Sequence, residues 1–414
     1  MNLAKDRKAL QQYWWLTLAF LTAIALPLST ALQNATLPLI VCSVILSKDL
    51  RGKLPQVVKE PLVVVSLVFY ALFLFGSLWS TGSAHDISKM LLKMIGLVEL
   101  PFIIAFFSSD DKRKSALWGF GIGIALTIFF SYLSIWTNHP MFHAKTWGLQ
   151  YGIFRMHMYH TYFLALFACW LLYLQLNKQI KPKWLKVVAW ISIFVLLHNI
   201  YYETWSRTGQ ILCLLMVISI FIQWRLKIGL IVSAVILFVI TPTLIYTSSS
   251  VQAKIKTYQE NVQQYKAGKF DPQNPSMYLR WTFHKYAKEI IAEKPVIGHG
   301  TGSYPGEYAR LSARDHNPFG NSQPHSDYLW FGAELGYIGM ITFIVFLATL
   351  FIRSFSLARP YRDFGVTVAL VYAAACYENG YFSDSVSGLA FFALVGLLFA
   401  TRYEDRNLKP TVTN

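Results

Sequence analysis

Gln323-Pro324-His325-Ser326-Asp327-Tyr328 closes a polar block that begins near Ser248, and a long apolar segment starts at once behind it. Inside that block no apolar run is long enough to span a bilayer, whereas almost everything before and after it is apolar. A spanning helix needs about 20 mostly apolar residues. The block therefore reads as one large extramembrane loop set late in an all-α polytopic membrane protein. His325, where the loop enters a helix, puts a titratable imidazole at a membrane surface, a place suited to chemistry on a lipid-borne substrate.

Composition supports this outline. Of the 414 residues, 55% are hydrophobic and 14% charged, against about 25% charged in soluble domains. Aromatic residues reach 16%, with 13 Trp, as expected for rings gathered at both membrane interfaces. A net charge of +16 would point to nucleic acid in a soluble protein. Here the bias of Lys and Arg toward one membrane face accounts for it, and no nucleic-acid partner is expected. Cys42, Cys169, Cys213 and Cys376 all lie in apolar runs, frame no loop and form no CxxC. They read as small buried hydrophobes rather than disulfide or zinc positions. The basic N-terminus followed by Tyr13 to Leu28 imitates a signal peptide but reads as an uncleaved first span, because further spans follow.

About twelve apolar segments can be drawn, at roughly 13–29, 33–47, 61–79, 89–107, 115–136, 158–176, 185–202, 207–224, 228–247, 327–352, 363–379 and 382–401. The organisation expected is helices one to nine in 1–247, a mainly helical loop domain in 248–325, and helices ten to twelve with a tail in 326–414. Basic residues fall in alternate connections: Lys48, Arg51, Lys53 and Lys59; Lys112 to Lys114; Lys178 to Lys186; Arg225 and Lys227; Arg353 to Arg362. The short loops on the other side (27–32, 80–88, 203–206 and 380–381) hold no Lys or Arg. Such asymmetry sets orientation. Both termini are expected in the cytoplasm and the 248–325 block outside.

Within that block, Ser276 to Glu293 reads as an amphipathic helix with Leu279, Phe283, Ala287, Ile290 and Ile291 on one stripe. A turn is expected at Asp271-Pro272-Gln273-Asn274-Pro275. Pro295 ends the helix, and Gly298-His299-Gly300-Thr301-Gly302 follows, flexible enough to bring backbone close to a ligand.

Three residues carry the candidate chemistry. His325 is a natural general base near neutral pH, or simply a loop residue capping a helix. Arg207, in Ser206-Arg207-Thr208-Gly209, starts an apolar segment. Its guanidinium fork suits a diphosphate, and the plain alternative is an interfacial anchor. Arg280 shares a helix face with His284 and is otherwise a solvated charge. Arg155, His157 and His160 cluster at one segment end, where they either help hold an anionic substrate or form a polar collar. Arg155, His160 and Tyr328 are the weaker candidates for substrate contact. No HExxH, P-loop or strand-borne GxGxxG occurs, so neither a metal nor another cofactor is expected.

These features together resemble the O-antigen ligase and polymerase superfamily of bacterial envelope glycosyltransferases. The resemblance rests on the whole-chain layout with one late loop, on Ser206-Arg207-Thr208-Gly209, and on Arg280-Trp281 running into Pro295-x-x-Gly298-x-Gly300. It also rests on Pro324-His325 leading to Tyr328-Leu329 and Glu334-Leu335-Gly336. The family pattern usually has Asn after the His, and here Ser326 stands there. The resemblance implies a GT-C-like glycosyltransferase in the bacterial inner membrane with a periplasmic active site. It implies a donor glycan on undecaprenyl diphosphate and a lipid A–core oligosaccharide acceptor. In role, His325 matches the family's essential His, and Arg207 and Arg280 its two essential arginines. A polymerase extending the lipid-linked glycan is the nearest alternative. A protein O-oligosaccharyltransferase stands further off. So does a transporter using Lys89, Lys93, Glu99 and Glu378 as a charged path, since no internal repeat supports it.

Overall fold

The computed structural model describes residues 3–137, 152–204, 206–240, 249–267, 275–317 and 323–404, with 242, 243 and 246. Of the turn expected at 271–275, residues 271–274 lie outside the described residues. Every described regular element is helical. In chain order they are α1 (Leu3–Leu28), α2 (Thr30–Leu46), α3 (Pro61–Gly76), α4 (Ala84–Lys93), α5 (Gly96–Phe106), α6 (Asp110–Trp136), α7 (His157–Leu176), α8 (Lys183–His198), α9 (Arg207–Trp224) and α10 (Leu226–Val235). The polar block supplies α11 (Ser249–Lys266), α12 (Pro275–Glu293) and α13 (Tyr304–Arg314), and α14 (Asp327–Ser354), α15 (Tyr361–Glu378) and α16 (Ser387–Phe399) complete the bundle.

Among the described residues seven helices are long and apolar enough to cross a membrane, or eight if Thr30–Leu46 and Lys48–Val57, bent by 89°, form one span, against about twelve apolar segments expected. The segment expected at 89–107 breaks between α4 and α5. The one at 228–247 passes into a π-turn at Ile236–Ile240. α15 carries Arg362, Asp363 and Glu378, and α16 is 13 residues long. A hydropathy profile registers apolar content but not a bend, so it reads broken and straight helices alike. Cys42 also departs from expectation: it is exposed, while the other three cysteines are buried.

The block docks on the bundle through α12. Phe283, Ala287, Ile290 and Ile291 form its buried face, as their spacing predicts. The glycine run after it does not wait for a ligand. α14 is interrupted at Gly336, whose φ is +66°, and the interruption frees backbone groups inside the protein. The block fills them: His299 N–H donates to Ala333 O at 3.1 Å and Gly300 N–H to Glu334 O at 2.7 Å. In return Tyr337 N–H donates to Pro295 O at 2.7 Å. Buried backbone groups must be paired somewhere, and here the pairing welds the block to α14. On its other side Thr301 N–H donates to Gly76 O and Thr81 N–H to His299 O, tying in the end of α3. Gly300 sits at φ +95°, and a Cβ there would overlap the Ser80 backbone. Gly300→Ala is expected to cost at least about 1–3 kcal/mol from the backbone conformation alone, with the clash added. Thermal melting in detergent should show the drop, and an unchanged melting temperature would contradict the weld.

Candidate functional site

Four parts of the chain build the site around His325. The residue holds φ at +52°, which turns its ring back from the start of α14 toward the block. There it stacks on Phe283 of α12, with ring centroids 5.7 Å apart. The next turn of chain is fixed by Asp327: its buried carboxylate accepts from Phe382 N–H at 2.8 Å and Ser383 N–H at 3.1 Å. That clamp holds the loop after α15 against the start of α14, and the loop begins with Asn379. His325 Nδ1 lies 2.8 Å from Asn379 Oδ1.

The tautomer follows from the neighbours. Asn379 Oδ1 also accepts from Gly380 N–H at 3.0 Å, which fixes the oxygen, not the amide nitrogen, toward the ring. His325 Nδ1 must therefore be the N–H donor, and the Nε2 lone pair is left unused. Among the described residues Nε2 has no hydrogen-bond partner. Burial lowers the ring's pKa from its ordinary 6.5; the Asn379 bond opposes the shift, and Arg280 and His284 add to it. His284 is likewise lowered by burial, against its hydrogen bond to the His325 backbone. Its Nε2 is buried with no hydrogen-bond partner among the described residues.

Arg280 is half-buried on α12, one turn before His284. Its Nη1 lies 3.9 Å from a carboxylate oxygen of Glu378, the residue before Asn379. It acts electrostatically on His325, His284 and His157 alike, so it lies near all three. Arg207 is exposed and, among the described residues, carries no ion pair. Ser206 caps its helix, its Oγ accepting from Gly209 N–H at 3.1 Å. Gly209 packs so closely on Thr161 of α7 that no Cβ would fit. α9 runs antiparallel to α15, with Ser219 Oγ 2.8 Å from Thr367 Oγ1 and Gln223 Nε2 donating to Asp363 O. At about 1.5 Å per residue, Arg207 stands about 18 Å beyond Ser219 and Glu378 about 16 Å beyond Thr367 in the same direction. Arg207 thus lies level with the Arg280–Glu378 pair, two helix ends away from His325.

The weaker candidates are held elsewhere. Arg155 is buried, its Nε donating to Leu26 O at 3.1 Å and Nη2 to Ala25 O at 2.9 Å and Gln33 Oε1 at 3.1 Å, while Nη1 reaches Thr30 Oγ1. It ties the end of α1 to the start of α2, satisfying carbonyls that a helix C-terminus leaves open. His160 Nε2 lies 3.0 Å from Asn199 Oδ1, and Asn199 in turn donates to Ser131 Oγ, a polar link between α6, α7 and the end of α8. Tyr328 donates to Ala373 O at 3.0 Å, fastening α14 to α15. All three are engaged in helix packing.

Glu293, His299 and Glu307 bring ligand atoms within 4.8 Å of one another. Both carboxylates already pair with Arg310, and Glu307 also accepts from Thr81 Oγ1 at 2.8 Å. One guanidinium thus sits between the two carboxylates.

Asn379 escaped the sequence reading. Its only signal was an amide in Glu378-Asn379-Gly380 at the end of an apolar segment. Ser326 follows the His, and the amide that meets the ring comes from 54 positions away.

The described residues form a helical, multi-pass membrane protein with a half-buried imidazole and guanidinium at one end of the bundle. Residues 191–344 match the family model described as O-antigen ligase, so this part of the chain is similar to that family. The matched segment contains Arg207, Arg280 and His325; Asn379 and Glu378 lie beyond it. No curated protein matches the chain.

Proposed function

We propose that this protein is an O-antigen ligase of the bacterial inner membrane, transferring a glycan from undecaprenyl diphosphate to the lipid A–core oligosaccharide at the periplasmic face. The observation that carries the mechanism is the 2.8 Å contact between His325 Nδ1 and Asn379 Oδ1, from which the tautomer follows. With Nδ1–H spent on Asn379, Nε2 is a fixed, neutral proton acceptor in a pocket that also holds Arg280.

His325 Nε2 takes the proton of the acceptor hydroxyl as its oxygen attacks the anomeric carbon. The bond from that carbon to the diphosphate breaks, and the electron pair departs on the diphosphate oxygen. Arg280 and Arg207 meet the growing negative charge, and a guanidinium remains charged throughout. Glu378 is the resting counter-ion of Arg280 and yields when the diphosphate arrives. One displacement inverts the anomeric centre. Loss of long-chain lipopolysaccharide with accumulation of lipid-linked polymer, on deletion of the gene, tests the ligase assignment. Core carrying a single repeat unit would instead identify a polymerase.

The pKa directions give a signed test. The acid limb of kcat/KM reports the free enzyme and is expected below pH 6.5, since burial lowers His325 from that value. The Asn379 bond raises the His325 pKa, so Asn379→Leu should move the limb to lower pH and reduce the rate about tenfold. Arg280 lowers it, so Arg280→Gln should move the limb up. Shifts in the same direction would refute the assignment.

A further inference from the structure

A cavity of about 670 Å3 beside α4 plays no part in the chemistry above. His85, Lys89 and Lys93 all line it and recur every fourth residue, so they make one basic stripe along the helix. Leu37, Pro38 and Leu389 line it from other elements and Leu92 from α4 itself, which adds apolar wall. Glu99 also lines the cavity; it is buried, and its Oε2 has no hydrogen-bond partner among the described residues. Cations, an unmet acceptor and an apolar wall in one space are the complement of a lipid with a phosphate, hydroxyl-bearing headgroup.

The cavity opens at the same end of the bundle as His325. Ser80 Oγ donates to Thr301 O at 2.6 Å, tying the turn before α4 to the polar block, and Ser385 of the cavity wall follows shortly after Asn379. Lys93 Nζ sits 4.4 Å over the Trp330 ring and interacts electrostatically with Asp327 and Asp384. It therefore reaches the start of α14 from α4, whereas Arg280 reaches it from α12. Transfer between two membrane-anchored substrates requires two lipid berths at one depth with the base between them. The guanidinium side is suited to the donor's diphosphate.

Resting on the ligase reading for what is acceptor and what is donor, we infer that this cavity is the acceptor berth: Lys89 and Lys93 hold a phosphate of the glycolipid headgroup, Glu99 accepts from one of its hydroxyl or amide groups, and Leu37, Leu92 and Leu389 receive an acyl chain. Among the described residues Lys89 carries no ion pair, so its charge is open to a ligand.

Native mass spectrometry of the full-length protein tests this with three probes: bisphosphorylated lipid A, the same lipid with its phosphates removed, and undecaprenyl diphosphate. Lys89→Glu should weaken bisphosphorylated lipid A about tenfold or more, and Lys93→Gln about tenfold, with undecaprenyl diphosphate unaffected by either. Dephosphorylation should weaken binding to the unmodified protein and abolish the effect of both variants. Lys89 is exposed, so its substitution leaves packing intact even if Lys93→Gln unseats Trp330. Equal binding of the phosphate-free lipid, no effect of Lys89→Glu, or equal loss of both lipids would overturn the inference. Binding is read without turnover. A protein that grips lipid A through Lys89 but ligates no glycan keeps the berth and loses the ligase reading; active ligation indifferent to Lys89 does the reverse.

Discussion

His325→Asn is expected to lower glycan transfer about 100- to 10,000-fold while leaving the protein folded. The choice of Asn matters. Position 325 holds φ at +52°, a conformation that Asn tolerates and that costs most other residues roughly 1–2 kcal/mol. His325→Ala should lose the same activity; both variants forfeit the Phe283 stack, and Ala adds the backbone cost. A gap in melting temperature between the two variants at equal activity would separate the loss of the base from the strain of the backbone. Near-normal transfer by His325→Asn in a purified assay would remove the base from the mechanism, however well the fold survived.

Arg280→Ala should cost about 100- to 1,000-fold in kcat, the scale seen when one fixed donor to a developing anion is removed. Arg280→Lys restores the charge but not the planar fork, so partial recovery is expected. The Glu378 contact is long, at 3.9 Å, and Glu378 is about half exposed, so it is a weak tether. Glu378→Gln should therefore tighten donor binding only slightly, well under tenfold. Single-turnover measurements with a lipid-diphosphate donor distinguish these effects. An Arg280→Ala protein with unaltered kcat and KM would show that the guanidinium does not meet the leaving group.

Much of this arrangement was legible in the chain. The apolar segments, the polar block and the amphipathic stripe of α12 follow from periodicities that burial imposes on any sequence. His325 and Arg280 stood out because ionisable groups beside hydrocarbon require a reason. The same logic also picked out residues that the fold holds in packing contacts. Arg155 stood out for its charge, yet its guanidinium ties the end of α1 to the start of α2. Gly298 to Gly302 read as a ligand loop because glycine permits close approach, but the approach is to α3 and α14. One apolar segment was read at 89–107, and the chain breaks there between α4 and α5, because apolar content carries no information about bending.

The sequence alone determined that this is a helical membrane protein with one large polar block and a histidine at its exit, since hydrophobic burial is local and leaves its period in the chain. Only the tertiary structure decided which nitrogen of that histidine is free. That depends on Asn379 and Gly380, brought to it by Asp327 across a loop, and hydrogen bonds between distant segments leave no period to read.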